Sequence, residues 1–231
     1  MKFILSLILS LPFSLYPQTD FGKAQQLFAK QQFAEAKVLF ESDLKQNPKH
    51  TEAIEFLGDT NSHLQKWEAA VSCYEQLKNS HPKNAEYQYK YGGALAMVAK
   101  DAYKLKAFSM IGDIELAFQK AIANNPKHIE ARWALVELYL QLPGIVGGSE
   151  EKATRYAHEL AQLSTVDGYL SKGRIAEYFE RYPTAEQYYR KAFEVGNSKT
   201  TCQKLADLYK NKMHQPEKAK AVWDNYNKTK G

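Results

Sequence analysis

Between residues 34 and 226 the chain repeats one pattern of apolar and polar positions. Apolar residues recur at three- and four-residue spacing, the period of a helix buried on one face. One set of segments ends in proline: AEAKVLFESDLKQNP (34–48), EAAVSCYEQLKNSHP (68–82) and GDIELAFQKAIANNP (112–126). Each carries an aromatic residue eight positions before the proline, namely Phe40, Tyr74 and Phe118. The interval from Pro48 to Pro82 sets the period, and Pro126 closes a longer copy of it. Without the closing proline, the same helix recurs as PTAEQYYRKAFEVGN (183–197) and PEKAKAVWDNY (216–226). Pro183 and Pro216 suit the first turn of a helix, where a missing N–H costs nothing. Ahead of these segments lie partner helices, AIEFLGDTNSHL, EYQYKYGGALAMV, EARWALVELYL, YLSKGRIAEYF and CQKLADLYK. A small residue recurs in four of them: Gly58, Gly92, Gly173 and Ala206. Antiparallel helices approach closely only where side chains are small, so these positions are expected crossing points.

Two interruptions break the period. Residues 99–110, AKDAYKLKAFSM, are helical in composition and predict an extension of both helices of the third pair into a longer, projecting hairpin. Residues 142–153, LPGIVGGSEEKA, read as a loop. Pro143 and Gly144 end one helix, Gly147 and Gly148 turn the chain, and Ser149 caps the next helix, with Glu150 and Glu151 complementing its dipole. A glycine-rich loop before a helix can cradle a phosphate. The spacing here fits neither the P-loop nor the dinucleotide fingerprint, and two acidic residues in the first turn repel an anion. The loop is therefore read as structural.

Residues 1–18, MKFILSLILSLPFSLYPQ, stand outside the pattern. Lys2 is followed by an uncharged run from Phe3 to Leu15 and then by polar Gln18, Thr19 and Asp20, the layout of a secretory signal peptide. As a membrane anchor the run is short: thirteen residues span about 20 Å of a roughly 30 Å hydrocarbon core. Pro12 and Pro17 also interrupt it. Cleavage is expected between Tyr16 and Asp20, leaving residues 19–231 as one helical-repeat domain in the periplasm or outside the cell, with no stable membrane insertion.

Composition narrows the chemistry. The net charge is +5 on 231 residues, with 31 Lys+Arg against 26 Asp+Glu. That is mild, and the basic stretches 100–106 and 210–220 are interleaved with acids or apolar residues, so no nucleic-acid partner is expected. Two cysteines exclude a disulfide-rich scaffold and a four-cysteine zinc site. Cys73 and Cys202 lie several repeats apart, too far for a disulfide. Of six histidines, His50, His81 and His128 sit beside the closing prolines in what read as exposed turns, and none forms an HxxxH or HExxH pair. Most of the repeat aromatics, Tyr74, Phe118, Tyr139, Tyr189 and Tyr209, read as core. No catalytic residue, cofactor site or metal site is assigned.

The helix–turn–helix unit, with its period of about 34 residues, resembles the tetratricopeptide repeat (TPR). That family places a small residue within its first helix, then a small, an aromatic and a small residue in its second, with proline at the end. Gly58, Ala70, Tyr74 and Pro82 match one copy, with Leu77 in place of the second small residue. Gly92, Phe118, Ala121 and Pro126 match the next, and Gly173, Ala185, Tyr189 and Ala192 another. Ala24, Ala36 and Phe40 belong to a degenerate first copy, and Ala206, Tyr209 and Trp223 to the last. The resemblance covers about residues 20–228 and implies an all-α, right-handed superhelical solenoid of about six helix pairs. The long third pair followed by a PGIVGG loop is similar to secreted bacterial TPR proteins of unassigned function. The resemblance further implies a concave groove lined by the first helix of each pair, which binds a protein or peptide. Carried onto this chain, the groove positions are Glu52, Glu55, Asp59 and His63, then Tyr89, Gly93 and Met97, then Trp133 and Glu137, then Arg174 and Tyr178. Trp133 is equally placed to be core. The groove would be acidic at one end and aromatic in the middle, suiting an extended segment with Lys or Arg and an apolar anchor. Tyr89 and Gly93 are not basic, which argues against the Lys/Asn clamp that chaperone-binding members use for a C-terminal carboxylate. The implied function is a non-enzymatic scaffold or assembly factor. The alternatives are a small-ligand binder or enzyme with its site in the irregular third-to-fourth repeat, and a purely structural subunit of an envelope complex.

Overall fold

A computed structural model describes residues 20–230; the expected signal peptide lies outside the described residues. The described residues form twelve α-helices, a 3₁₀ turn and a π-helical stretch, with no strand among them. They fall into two compact units, one ending at Gln65 and the other beginning at Lys66.

The first unit holds α1 (Asp20–Ala29), α2 (Phe33–Gln46) and α3 (Thr51–His63). Its core is Ala24, Ala36 and Phe40, all inaccessible to solvent, with Phe21, Phe28 and Phe56 packed against them. Phe40 and Phe56 stack at 5.4 Å, and Phe33 stacks flat on His63 at 4.1 Å. Small alanines let the helices approach, and the rings fill what remains.

The second unit runs through α4 (Trp67–Ser80), α5 (Ala85–Asp101), α6 (Lys104–Asn124), α7 (Ile129–Gln141), α8 (Glu150–Leu163), α9 (Thr165–Tyr178), α10 (Tyr182–Gly196), α11 (Lys199–Asp207) and α12 (Pro216–Lys230). Each helix packs on the next in sequence, as a solenoid requires. Two of the expected crossing points, Gly92 and Gly173, are where they were read. A Cβ on Gly92 would lie 2.9 Å from the Phe118 ring and 3.1 Å from the Ala117 Cβ, and one on Gly173 only 2.4 Å from the Tyr189 ring. Ala70, Ala121, Ala153, Ala185 and Ala192 are fully buried, and so is Leu77. Neither Cys73 nor Cys202 is in a disulfide.

The two interruptions also take the expected form. The extra residues of the third pair lengthen both α5 and α6, to 17 and 21 residues. The loop after α7 holds a 3₁₀ turn, Gly144–Val146. Gly147 has φ +105°, a conformation costly for any residue with a Cβ. Gly148 lies so close to the Leu142 carbonyl that a Cβ would meet it at 1.8 Å. The Ser149 hydroxyl accepts from the Lys152 N–H, capping α8. The exposed-turn reading of the histidines holds for His81 but not for His50, half-buried against Phe21, nor for His128. His128 is not in an exposed turn but 5% accessible. Its Nδ1 accepts the Ala131 N–H at the start of α7, and Tyr89 covers its ring at 5.0 Å. The turn itself is exposed at Pro126 and Lys127, and only the His128 side chain folds in beside Tyr89 of α5.

The large buried tyrosines are more than packing. Tyr139 donates to Glu115 at 2.6 Å, Tyr189 to Glu177 at 2.7 Å and Tyr209 to Glu186 at 2.7 Å. Burial first, and then these carboxylates, hold all three phenols well above the ordinary value of 10, Tyr209 to about 12. Tyr209 sits on the π-helical stretch Leu208–Lys212, which prolongs α11.

The neighbouring glycines of α5 should respond with opposite signs. Gly92→Leu forces the α5–α6 crossing apart and should cost about 1–3 kcal/mol. Gly93→Ala enters open space and should add about 0.5–1 kcal/mol through helix propensity. Urea unfolding of the two variants checks both. A second expectation concerns alkali. Above pH 10 the unfolded chain releases tyrosine protons that the folded chain retains, so stability falls as pH rises, by about 1.4 kcal/mol per pH unit for each tyrosine held. Replacing Tyr139, Tyr189 and Tyr209 with Phe should flatten that decline between pH 10 and 12, read from unfolding free energies at stepped pH.

Candidate peptide-binding face

In the second unit, α5 touches α7 and α7 touches α9, so the first helices of three consecutive pairs form one layer. Tyr89, Trp133, Glu137, Arg174 and Tyr178 lie on these three helices. Tyr89 is half-buried between Phe118 and His128, at 5.9 and 5.0 Å. Burial raises its phenol pKa, and the carboxylates of Glu130 and Glu86 add to the shift. Trp133 is half-buried and packs against the apolar clusters on both sides of α7. Its indole N–H donates to Asp167 Oδ1 at 2.8 Å, tying α7 to α9.

One turn along α7, Glu137 accepts two parallel bonds from Arg174 of α9, from Nε at 2.8 Å and from a terminal nitrogen at 3.0 Å. Burial works against the guanidinium charge, but the Glu137 carboxylate outweighs it and raises the Arg174 pKa. The guanidinium lies 5.6 Å from the Tyr178 ring, which is 41% exposed. The charges of Glu137 and Arg174 therefore cancel across the face. Near its start the layer also carries the exposed acids Glu86 and Glu130, on either side of His128 at 3.7 and 3.2 Å. Arg132, also buried, donates to the His128 carbonyl and to Glu159. Glu52, Glu55 and Asp59 belong to α3 of the first unit, with Glu52 exposed and the other two half-buried.

Asp167 is the residue the groove positions omit, although a signal for it exists. It follows Trp133 by one full repeat, and in-phase positions stand at equal heights on adjacent first helices. His128 escaped because turn residues after proline are usually exposed. Among the described residues, no group of three or more His, Cys, Asp or Glu is arranged to hold a metal ion, and no helix is long and apolar enough to cross a membrane.

Comparison with known proteins agrees with this geometry. Residues 27–95 match the tetratricopeptide-repeat family model. Over 59 residues the chain is 39% identical to the tetratricopeptide repeat protein 30 homolog of Drosophila melanogaster, a match spanning 26% of this chain and only 9% of that protein. Among solved structures, a thermophilic TPR protein of Thermus thermophilus, TTC0263, aligns at 19% identity over 83% of this chain and 97% of its own, with a TM-score of 0.64. A tetratricopeptide repeat protein of Parabacteroides merdae aligns at 16% identity over 89% of this chain and 77% of its own, also at 0.64. YrrB, a TPR protein described as having an unusual peptide-binding site, aligns at 16% identity over 79% of this chain and 87% of its own, at 0.55. Residues 27–95 carry the tetratricopeptide-repeat pattern, and the described residues share the all-α helical-repeat fold of these TPR structures.

Proposed function

We propose that this is an exported, non-enzymatic TPR protein that binds an extended peptide segment of a partner across α5, α7 and α9. The observation that carries this reading is a set of three partly exposed aromatic residues on three successive first helices, Tyr89 and Trp133 near the starts of α5 and α7 and Tyr178 at the end of α9. The Trp133–Asp167 bond and the Glu137–Arg174 pair tie these helices together beside them. Aromatic side chains supply large contact area at little entropic cost, and anchors of this kind dominate interface energies. Cross-linked side chains lose little freedom when a partner arrives, which favours binding. Glu86 and Glu130 offer negative charge beside Tyr89, so the partner segment carries Lys or Arg near its apolar anchor. Such charges act mainly on association rate and salt dependence. The uncharged run from Phe3 to Leu15 after Lys2 supports export to the periplasm or beyond.

Peptides selected from a random display library against the full chain should be enriched in Lys or Arg next to an aromatic or aliphatic residue. Tyr178→Ala should weaken the selected peptide by about 2 kcal/mol in calorimetric titration. Glu86→Lys combined with Glu130→Lys should slow association chiefly at low salt. Full affinity in all three substitutions would move the interaction off this face. For export, the intact mass of native protein should correspond to a chain starting between Pro17 and Phe21; a mass that retains Met1 would refute it.

A further inference from the structure

The long third pair leaves a surface that the peptide-binding face does not use. Glu115 of α6 accepts from Tyr139 near the end of α7 and lies 3.9 Å from Lys152 in the first turn of α8. Glu115 is therefore level with the start of α8, yet α6 begins eleven residues earlier, at Lys104. At 1.5 Å per residue the α5–α6 hairpin overhangs its neighbours by on the order of 10 Å. The overhang is not a polar tip. Tyr103 is 69% exposed, Leu105 74% and Phe108 37%. Exposed Lys100, Lys104 and Lys106 alternate with them, against the single acid Asp101.

The turn after α7 lies at the same end of the unit, because α7 runs antiparallel to α6 as α5 does. It presents Ile145, 93% exposed. That side chain is held out by a stiff loop: the Gly148 N–H donates to the Pro143 carbonyl, and the Ser149 N–H to the Tyr139 carbonyl. Four large apolar groups stand exposed at one end of the unit, three of them interleaved with lysines on the hairpin, while beside Ile145 the first turn of α8 carries Glu150, which is paired with Arg181, then Glu151 and Lys152. A second copy of the chain is a poor occupant, since stable interfaces bring roughly 20–30 residues a side. An anionic lipid surface is a good one. Its interface accepts isolated apolar side chains to a depth of about 5–10 Å, tyrosine suits the headgroup level, and acidic lipids attract nearby lysines.

We propose that the chain docks peripherally on anionic bilayers through Tyr103, Leu105, Phe108 and Ile145, with Lys104 and Lys106 on the headgroups. The α5–α7–α9 layer is left free to hold its partner at the membrane surface. The docking stands independently of the peptide reading.

The test is hydrogen exchange of the full chain with vesicles of phosphatidylcholine containing phosphatidylglycerol, and with phosphatidylcholine alone. Because the readout is local, any binding by residues 1–18 does not register in it. Exchange should slow in segments 100–112 and 143–149 with the anionic vesicles only, and high salt should reverse the effect. Leu105→Asp with Ile145→Asp, both at exposed positions, should leave circular dichroism unchanged and weaken the protection by about tenfold or more. Lys104→Glu with Lys106→Glu should do the same. Absence of protection, equal protection with neutral vesicles, or protection that survives the substitutions would overturn the proposal. So would a dimer in sedimentation that Leu105→Asp dissolves, because that face would then belong to a second copy.

Discussion

Two helices approach only as near as the side chains at their crossing permit, and the second unit of this chain rests on that constraint. At Gly92 and Gly173 there is no room for a Cβ, because the Phe118 and Tyr189 rings already fill the space. Gly168 meets the Ala161 backbone in the same way between α8 and α9. At the first two crossings the small residue is paired with a bulky ring on the neighbouring helix, and close packing follows. Because such pairing recurs, each helix needs only its neighbours, and the unit can tolerate a lengthened hairpin and an inserted loop at one end.

On that scaffold the polar interactions serve position more than stability. The tyrosine–glutamate bonds repeat at Tyr139, Tyr189 and Tyr209, and give each buried ring a defined orientation. The Trp133–Asp167 bond and the Glu137–Arg174 pair do the same for the face formed by α5, α7 and α9. A half-exposed ion pair of this kind contributes little to folding. Its effect is to neutralise two charges that would otherwise mark the middle of the face, beside the Tyr178 ring, while Glu86 and Glu130 stay exposed near the starts of α5 and α7. The two interruptions of the repeat act differently. Neither enlarges the α5–α7–α9 face; both place apolar side chains at one end, where α6 overhangs and the Gly147–Gly148 loop turns.

The helix periodicity, the crossing glycines and alanines, the buried aromatics, the lengthening of α5 and α6 and the Ser149 cap were all legible along the chain. Each depends on a local spacing: 3.6 residues per turn, a small residue in the middle of a helix, or a hydroxyl just before one. Three features belong to the tertiary structure alone. His128 is buried because Tyr89, more than a whole repeat earlier, folds over it, and no local rule distinguishes it from the histidines at equivalent turns. Gln31, Glu180 and His214 take positive φ in turns without glycine, because the helices on either side dictate the path and a modest backbone strain is accepted. Arg174 meets Glu137 and Asp167 meets Trp133 because stacking sets equal heights on adjacent helices. The sequence determined which side chains face the same layer; contact between helices remote in the chain decided which charges on it are paired and which stay exposed.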